Sequence, residues 1–326
     1  MDLDLLFLGT AGSAPTAARG TSATLVRRGG DRLLVDCGEG TQRQLLRSNA
    51  GLGDLEDVFL THLHADHVLG LPGMLKTFAL RGREIGITVH GPRGTRALLD
   101  ALRAVIGRLT YPLRVVELAP GDVLERDGYQ LRPFAVAHGV GAIGYALHED
   151  GRPGRFEASV ADELGVPDGP ARGQLQRGEA VTLADGREIR AEEVVGPPRR
   201  GRTVALTGDT APAATVVEAA SGADVLVHEA TFLAEERVRA NETDHSTAGE
   251  AALVAREAGV GLLALTHVSS RYAGSQVAAE ARELFPQTVV PRDFDVIAVP
   301  LPERGPPELV ERGGRRGRGD PAPQLS

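Results

Sequence analysis

The 326-residue sequence contains a single cysteine, Cys37, and no tryptophan. One cysteine excludes a disulfide bond within the chain and a thiolate cage for zinc, and such usage is typical of a reducing cytoplasm. Aromatic residues make up only 4% of the chain, which excludes base stacking on aromatic side chains as a widespread device. Lys76 is the only lysine, so arginine carries almost all of the positive charge.

Positive charge is also in deficit, because the formal net charge is −8 at pH 7. This excludes a strongly cationic protein that coats DNA, whereas an enzyme that meets nucleic acid through a local basic patch is compatible with it. No apolar run approaches the roughly 20 residues of a membrane-spanning helix. Asp2 and Asp4 precede the first apolar run without any basic segment, so we expect no signal peptide. We predict a cytoplasmic protein without a membrane partner.

The rest of the composition is ordinary for a globular protein, with 42% apolar and 25% charged residues. Short runs rich in Val, Leu and Ile come in pairs early and alternate with helical patterns later, which predicts a layered α/β fold. The predicted strands lie near 3–8, 22–27, 32–36, 57–61, 86–90, 131–137, 143–148, 203–207, 224–228, 262–266 and 294–299. The predicted helices lie near 40–48, 67–80, 94–106, 212–220, 246–258 and 275–285.

Residues 149–202 differ from the rest in being rich in Gly, Pro and charge, with few apolar residues. Their nine Arg and eleven Asp or Glu leave them without net positive charge. We interpret this stretch as an arm inserted into one domain of residues 1–303. The Gly-, Pro- and Arg-rich residues 304–326 are predicted to be a disordered tail.

The stretch THLHADH places three imidazoles and one carboxylate within six residues, directly after the strand-like run Val58–Leu60. His62 and His64 lie two residues apart on an extended turn and can point the same way. Asp66 and His67 begin the next element and can face a second ion. Imidazole and carboxylate are the natural zinc ligands where sulfur is missing. A chance cluster on a solvated turn is disfavoured because other strand ends supply further ligands.

Four other apolar runs end in residues of metal-binding or acidic type. In open α/β sheets sites gather at the carboxyl ends of strands, so these polar ends should meet at one rim. The residues are His138, Asp209, His228 with Glu229, and His267. Taken alone, Asp209 has a competing interpretation as the N-cap of a helix near Ala211–Pro212. His228, His90 and Cys37 are interpreted as structural, and Asp36 as scaffolding rather than a ligand.

The order of these motifs resembles the metallo-β-lactamase superfamily: HxHxDH after a strand, a lone His, Gly-Asp-Thr, and a late Thr-His. Three further stretches resemble the ribonuclease Z family within it, namely His228–Phe232 (HEATF), His245–Thr247 (HST) and 165–170 (GVPDGP) in the arm. The resemblance covers roughly residues 3–300. It implies a metallo-β-lactamase αββα sandwich with an inserted flexible arm.

The resemblance also implies a binuclear centre with two zinc ions per subunit, for which manganese is a substitute. Such a pair would lower the pKa of a shared water towards neutrality and so supply a nucleophile. The implied ligands are His62, His64 and His138 for one ion, Asp66, His67 and His267 for the other, and Asp209 as the bridge.

Three residues have implied catalytic roles. His245 would be the general acid for the leaving group, and Glu229 would fix its tautomer and keep it charged. Asp66 would also orient the attacking water or accept its proton. For His245 the competing interpretation is that it simply opens the helix predicted from about residue 246.

The implied activity is an endoribonuclease that removes the 3′ trailer from precursor tRNA, leaving a tRNA 3′-hydroxyl and a 5′-phosphate on the trailer. In the family the arm grips the tRNA elbow and serves the other subunit's site, so a homodimer is expected. Two alternatives stay open. One is a phosphodiesterase for small or cyclic diesters that uses the same metals, and the other is a non-catalytic RNA-binding or regulatory protein on the same fold.

Two features bear on the expected contact with tRNA. Many ribonuclease Z sequences carry a Lys-Arg-Asn group in the loop after the first strand, whereas residues 15–20 here read PTAARG and match only at Arg19. In an arm without net positive charge, clustered arginines would have to make the phosphate contacts. The candidates are Arg152, Arg155, Arg172, Arg177, Arg199, Arg200 and Arg202.

Overall fold

The computed structural model describes residues 1–139 and 141–310. Within these ranges the strands are β1 (Leu3–Gly9), β2 (Ala23–Arg28), β3 (Asp31–Val35), β4 (Asp57–Phe59), β5 (Ile87–Gly91), β6 (Leu113–Glu117), β7 (Leu124–Arg126), β8 (Tyr129–Ala135), β9 (Ile143–Glu149), β10 (Val181–Thr182), β11 (Glu188–Ile189), β12 (Thr203–Leu206), β13 (Val225–Glu229), β14 (Leu262–Thr266), β15 (Thr288–Val289), β16 (Val296–Ala298) and β17 (Glu308–Val310). The α-helices are α1 (Thr41–Arg47), α2 (Ala65–Val68), α3 (Gly70–Leu80), α4 (Thr95–Ala101), α5 (Arg103–Ile106), α6 (Ala158–Glu163), α7 (Pro170–Gln176), α8 (Ala191–Val194), α9 (Ala214–Ala219), α10 (Arg237–Glu242), α11 (Ala248–Ala258) and α12 (Gly274–Leu284).

The strands form two large sheets and one small hairpin. The first sheet has the order β17-β16-β1-β2-β3-β4-β5-β6, the second has the order β15-β14-β13-β12-β9-β8-β7, and β10 pairs with β11. Strands β3 to β6 run parallel, and so do β12 to β15. Parallel strands present all their carboxyl ends at one edge of a sheet, so residues that follow these strands lie along a common edge.

The first sheet is buried on both faces. Leu6 and Leu8 of β1 pack in one apolar cluster with residues of α1 and α3. The alternate side chains of β1 point to the opposite face and are also buried. On that opposite face the Phe59 ring of β4 lies 5.3 Å from the Tyr145 ring of β9, and the Tyr145 hydroxyl donates to the Leu60 carbonyl at 2.7 Å. The two sheets therefore stack face to face.

The second sheet has its own helical cover. Ala205 of β12, Leu226 of β13 and Leu263 of β14 share an apolar cluster with residues of α9, α11 and α12. Helix α11 contacts both β13 and β14. The layers are thus helix, sheet, sheet and helix, which agrees with the layered α/β fold predicted from the sequence. No helix within the described ranges is both long and apolar enough to cross a membrane.

The chain divides into two compact units, of which the second comprises residues 125–130 and 148–202. The sequence predicted an arm of 149–202 with little apolar content. The second unit nevertheless packs a small apolar cluster of its own, in which Ala161, Leu175 and Val194 are at most 1% exposed. Its helices α6 to α8 are four to seven residues long, and the strands β10 and β11 of its hairpin have two residues each. Elements this short have no periodicity that could be recognised in the sequence.

A buried ion pair joins the two ends of this second unit. Arg202 Nε lies 2.6 Å from one oxygen of Glu149, and Nη2 lies 2.7 Å from the other. The two side chains are 2% and 7% exposed. Arg202 was among the arginines considered for tRNA phosphates; that interpretation is wrong, because its guanidinium is buried and engaged by Glu149. Arg172 is likewise engaged, by Asp162 and Asp168.

The end of the described chain also differs from the expectation. We predicted disorder from residue 304, yet residues 308–310 form β17, which pairs antiparallel with β16 and sets Val310 opposite Val296. A single 3₁₀ turn at Pro302–Arg304 leads into it. This strand could not be predicted from the sequence, because it is only three residues long and follows Gly and Pro residues that are typical of loops. Residues 311–326 of the predicted tail lie outside the described ranges.

Candidate active site

Four of the expected ligands converge beyond the ends of β4, β8 and β12. The Nε2 atom of His62 lies 3.0 Å from Nδ1 of His64, and Nε2 of His138 lies 3.2 Å from the same atom. Asp209 Oδ2 lies 3.6 Å from His62 Nε2 and 3.9 Å from His138 Nε2. This convergence of imidazole nitrogens and a carboxylate oxygen can hold a metal ion.

A second group lies on the other side of Asp209. Asp66 Oδ2 lies 3.6 Å from His67 Nε2 and 3.2 Å from His267 Nε2. Asp209 lies 3.4 Å from each of these imidazoles, through Oδ1 to His67 and Oδ2 to His267. Burial opposes ionisation of Asp209, but His267 and His67 hold its pKa well below the ordinary value. One ionised carboxylate therefore lies between two groups of donors, each able to bind a metal ion.

Two buried donor atoms of these groups are not satisfied by hydrogen bonds, and metal ions would complete their coordination. His67 Nε2 and Asp209 Oδ1 are buried without a hydrogen bond, which is costly unless a cation completes their coordination. Burial lowers the pKa of His62 to about 2, which favours the neutral imidazole that a metal ion requires. Nitrogen and carboxylate oxygen donors in such sets are those that zinc prefers in the absence of thiolate.

Three imidazoles of the two groups are fixed from behind through their second ring nitrogen. Such bonds set the tautomer and the orientation of a metal-binding histidine. The pairs are His67 with the Asp36 carboxylate at 2.7 Å, His138 with the Asp244 carbonyl at 2.8 Å, and His267 with the Thr231 hydroxyl at 2.8 Å. The sequence interpretation treated Asp36 as scaffolding and did not consider Thr231 or Asp244. The position of Asp36 at the end of a predicted strand was the signal that pointed to it.

Backbone conformation around the centre is unusual. Asp36, Asp244 and His267 have positive φ angles of 60°, 53° and 56°, a region that costs non-glycine residues on the order of 1 kcal/mol or more each. Gly208, one residue before Asp209, has φ 63°, and a Cβ there would lie 2.6 Å from the Thr61 side chain. Strain of this kind persists only where surrounding contacts enforce it, and it concentrates at functional sites.

Glu229 and His245 form a hydrogen-bonded pair beside the two groups. His245 Nδ1 lies 2.7 Å from Glu229 Oε1, and Glu229 is completely buried at the end of β13. Burial alone would lower the pKa of His245, but the hydrogen bond and charge of Glu229 raise it above the ordinary value. The His245 ring lies 4.9 Å from the ring of His138 and 5.5 Å from that of His267. An imidazole whose protonated form is favoured by Glu229 therefore lies next to the metal-binding groups.

Local sequence explains why His245 is free to make this pair. Helix α11 starts with a capping box, in which Thr247 Oγ1 accepts from the Glu250 backbone N–H at 3.2 Å and the Glu250 carboxylate accepts from the Thr247 N–H at 2.9 Å. Thr247, and not His245, is thus the N-cap. The corresponding alternative for Asp209 also fails, because the N-cap of α9 is Ala213.

The remaining residues singled out in the sequence have structural partners. His228 is buried, its Nδ1 bonds the Glu229 carbonyl at 2.8 Å, and burial lowers its pKa. Cys37 is completely buried, and burial raises the pKa of its thiol. Arg19 does not project into the metal-binding groups: its guanidinium donates to Thr10 Oγ1 at 2.6 Å and to the Pro291 carbonyl at 2.8 Å.

Comparison with known proteins identifies the family of this chain. The family model of the metallo-beta-lactamase superfamily matches residues 16–154. Ribonuclease Z of Haloferax volcanii is 49% identical over 92% of this chain and 96% of its own length. The chain belongs to the ribonuclease Z family. The family member from Myxococcus xanthus is 48% identical over 93% of this chain and 99% of its own.

Solved structures confirm the fold inferred from the resemblance. The crystal structure of the short form of human tRNase Z has a TM-score of 0.66 at 26% identity, covering 91% of this chain and 99% of that one. The chain therefore has the metallo-β-lactamase fold. Membership of the ribonuclease Z family makes it a hydrolytic endoribonuclease with a His/Asp cluster able to bind metal ions.

Proposed function

We propose that this ribonuclease Z family member removes the 3′ trailer from precursor tRNA by hydrolysis of one phosphodiester bond. The observation that carries the proposal is the placement of the Glu229–His245 pair within ring-contact distance of His138 and His267. Metal-binding groups alone would serve many hydrolases. A general acid kept protonated beside these groups can donate a proton to a poor leaving group, such as a ribose 3′ oxygen that would otherwise depart as an alkoxide.

We propose two zinc ions per subunit, with manganese as a substitute. When bound, the ions would lower the pKa of a water molecule and neutralise charge on the phosphoryl oxygens. The proposed ligands are His62, His64 and His138 for one ion, Asp66, His67 and His267 for the other, and Asp209 for both. Asp66 has a second proposed role: its pKa is lowered, against the effect of burial, by His267 and His67, so it stays a carboxylate that orients the attacking water.

His245 is the proposed general acid. As water attacks phosphorus, the bond between phosphorus and the 3′ oxygen of the tRNA breaks, and His245 donates its proton to that oxygen. Glu229 holds Nδ1, so the proton at Nε2 faces the reaction. The products are a tRNA with a 3′-hydroxyl and a trailer with a 5′-phosphate. Proton return to His245 from solvent completes the cycle.

The second compact unit is proposed to bind the tRNA, and the protein is proposed to be a cytoplasmic homodimer. Of the arginines considered for phosphate contacts, Arg155, Arg177 and Arg200 are exposed. Arg177 forms an ion pair with Glu179, with 3.0 Å between Nε and Oε1. The sedimentation coefficient of the purified protein tests the dimer directly, and a monomer would contradict it.

The decisive experiment is cleavage of a precursor tRNA that carries a 3′ trailer, with the ends of both products mapped. We expect a cut next to the discriminator nucleotide, a 3′-hydroxyl on the tRNA and loss of activity on chelation. Cleavage of a chromogenic small diester without any cut in precursor tRNA would favour a small-diester phosphodiesterase. Undetectable metal in the purified protein would favour a non-catalytic RNA-binding protein.

His245→Ala separates the acid from the metal ligands. We expect turnover of precursor tRNA to fall by roughly 10²- to 10⁴-fold, the usual contribution of a general acid, with unchanged metal content by elemental analysis. An activated aryl diester, whose phenolate leaves without a proton, should lose much less. His245 also lies close enough to Asp209 and His267 to be a metal ligand itself. A variant that loses metal would therefore show that His245 is a ligand and not the acid.

A further inference from the structure

A small cavity opens directly beside the first group of metal-binding residues. It has a volume of about 160 Å³. Its lining includes His62, His64 and His138 together with Pro92, Arg93, Gly139 and Gly141. Arg93 is the only cation among the lining residues, and the sequence analysis did not single it out. Its guanidinium side chain is exposed, whereas His62 and His138 are 5% and 6% exposed.

The topology of the first sheet places Arg93 next to His62. Strands β4 and β5 are parallel neighbours, with Phe59 opposite His90. His62 follows Phe59 by three residues, and Arg93 follows His90 by three residues. Both residues therefore emerge from adjacent strands at the same carboxyl edge, where substrates of open α/β sheets bind.

The loop that carries Arg93 is held in one conformation. Thr95 bonds the Pro92 carbonyl through both its backbone N–H, at 3.1 Å, and its hydroxyl, at 2.7 Å. Gly94 has φ 103°, which other residues adopt only with strain. The Glu117 carboxylate accepts from the backbone N–H of Gly94 at 2.9 Å and of Arg96 at 3.1 Å. Arg93 thus projects from a rigid turn, as a residue that positions a ligand should.

The Arg93 side chain makes no hydrogen bond or ion pair within the described ranges. The nearby carboxylate on which the Arg93 charge acts is that of Glu117. This carboxylate already accepts hydrogen bonds from the backbone of the same loop. Its neighbour Arg96 is different, because the Arg96 guanidinium donates to the Val115 carbonyl at 2.6 Å. In a chain with a net charge of −8, an unpaired guanidinium at the mouth of the centre marks a place for an anion.

We propose that Arg93 binds the phosphate adjacent to the scissile phosphate in the substrate strand. This rests on the proposed function, since it requires a substrate with consecutive phosphates. The scissile phosphate must reach the buried donors that line the cavity, His62 and His138. A guanidinium at the rim then meets the next phosphate along the strand, with its planar fork matched to two phosphate oxygens. Arg93 is a specificity residue for polynucleotides over single diesters.

The test compares Arg93→Ala, Arg93→Lys and the matched control Arg96→Ala on two substrates, a precursor tRNA and bis(4-nitrophenyl) phosphate. The measured quantity is the ratio of kcat/KM for the tRNA to kcat/KM for the single diester. We expect R93A to lower this ratio roughly tenfold, the scale of one charge-assisted hydrogen bond, mainly through KM. R93K should recover part of the loss, and R96A should keep the wild-type ratio.

A binding measurement makes the outcome independent of cleavage. Fluorescence anisotropy with a single-stranded oligoribonucleotide gives Kd against salt, and R93A should reduce the log–log slope by about 0.7, as for the loss of one phosphate contact on a single strand. An unchanged ratio and slope in R93A, or an equal loss for R93A and R96A, would overturn the proposal. A wild-type protein that fails to cut precursor tRNA defeats the proposed function, and the salt slope then still decides the role of Arg93.

Discussion

Glu229 connects both halves of the candidate chemistry through one carboxylate. Its Oε1 accepts from His245 Nδ1 at 2.7 Å and from the Thr210 N–H at 2.8 Å. Its Oε2 accepts from the Thr231 hydroxyl at 2.6 Å, and that hydroxyl lies 2.8 Å from Nδ1 of His267. The residue proposed to keep the acid charged thus also orients a proposed metal ligand, and its complete burial makes both interactions strong.

Glu229→Gln should shift the alkaline limb of the pH–rate profile. The general acid is active when protonated, and Glu229 raises the pKa of His245, so the wild-type enzyme keeps the active form to higher pH. Removal of the negative charge lowers that pKa, and kcat for precursor tRNA should begin to fall at a lower pH than in the wild type. The measurement is kcat against pH at saturating tRNA. An alkaline limb at the wild-type position would exclude Glu229 as the source of the shift.

Asp36→Asn tests the orientation of His67. The asparagine keeps the shape but removes the charge that holds Nδ1 at 2.7 Å, and loss of such a partner weakens metal binding about 10- to 100-fold. Dialysis against graded chelator followed by elemental analysis gives the apparent affinity. Asp57→Asn is the matched control, because Asp57 makes the same 2.7 Å contact to His90, which is not a proposed ligand. Equal metal retention in both variants would contradict the orienting role.

At the residue scale, the sequence predicted donors but not their supports. His138 and His267 could be predicted because each follows an apolar strand, a pattern visible in one dimension. Thr231 and Asp244 could not, since the hydroxyl and the carbonyl act through positions that only the tertiary fold creates. Asp244 contributes a backbone atom, for which side-chain identity carries no signal. Arg93 was not predicted because it lies outside the motifs that combine several imidazoles and carboxylates.

At the scale of elements, the strands that carry the site were predictable and the short connecting elements were not. Strands β12, β13 and β14 are continuous apolar runs because parallel strands are covered on both faces. Strand β6 (Leu113–Glu117) was missed, and its burial explains why: at the edge of its sheet, none of its residues is fully buried. An edge strand lacks the apolar run that identifies a central strand.

The Glu149–Arg202 pair makes a prediction at this scale. Arg202→Met leaves Glu149 buried without its partner, which costs roughly 3 kcal/mol or more, so residues 148–202 should become susceptible to limited proteolysis while the remaining chain stays protected. Arg202→Met combined with Glu149→Gln removes the unpaired charge and should recover most of the protection. Arg177→Met is the control, because the Arg177–Glu179 pair is exposed. Equal protease sensitivity in R177M and R202M would refute the anchoring role.

For the whole molecule, the division into two units would separate catalysis from the proposed capture of tRNA. Every proposed ligand, the Glu229–His245 pair and Arg93 lie in the first unit. The second unit has its own apolar cluster and no proposed catalytic residue. The net charge of −8 disfavours capture of tRNA by general attraction. The proposed recognition of tRNA would therefore depend on local arginines, and the second unit has exposed ones, Arg155 and Arg200 among them.

This separation permits a test of how subunits share the work. If the second unit of one protomer serves the site of its partner, two different defects can complement each other. One variant has residues 150–201 replaced by a short Gly-Ser linker and keeps Glu149, Arg202 and the whole site. The other is His245→Ala, with an intact second unit and a defective site. Neither should cleave precursor tRNA well alone, whereas the first should still hydrolyse a small chromogenic diester.

Unfolded together and refolded as a mixture, the two variants should regain cleavage of precursor tRNA. In a heterodimer, the intact site of the deletion variant receives the second unit of the His245→Ala protomer, as in a closed two-fold assembly where each surface meets the other protomer. If the second unit instead serves the site of its own protomer, the mixture stays inactive, because no chain in it has both an intact site and a second unit. Persistent inactivity, with heterodimers verified by differential tags, would assign the second unit to its own site.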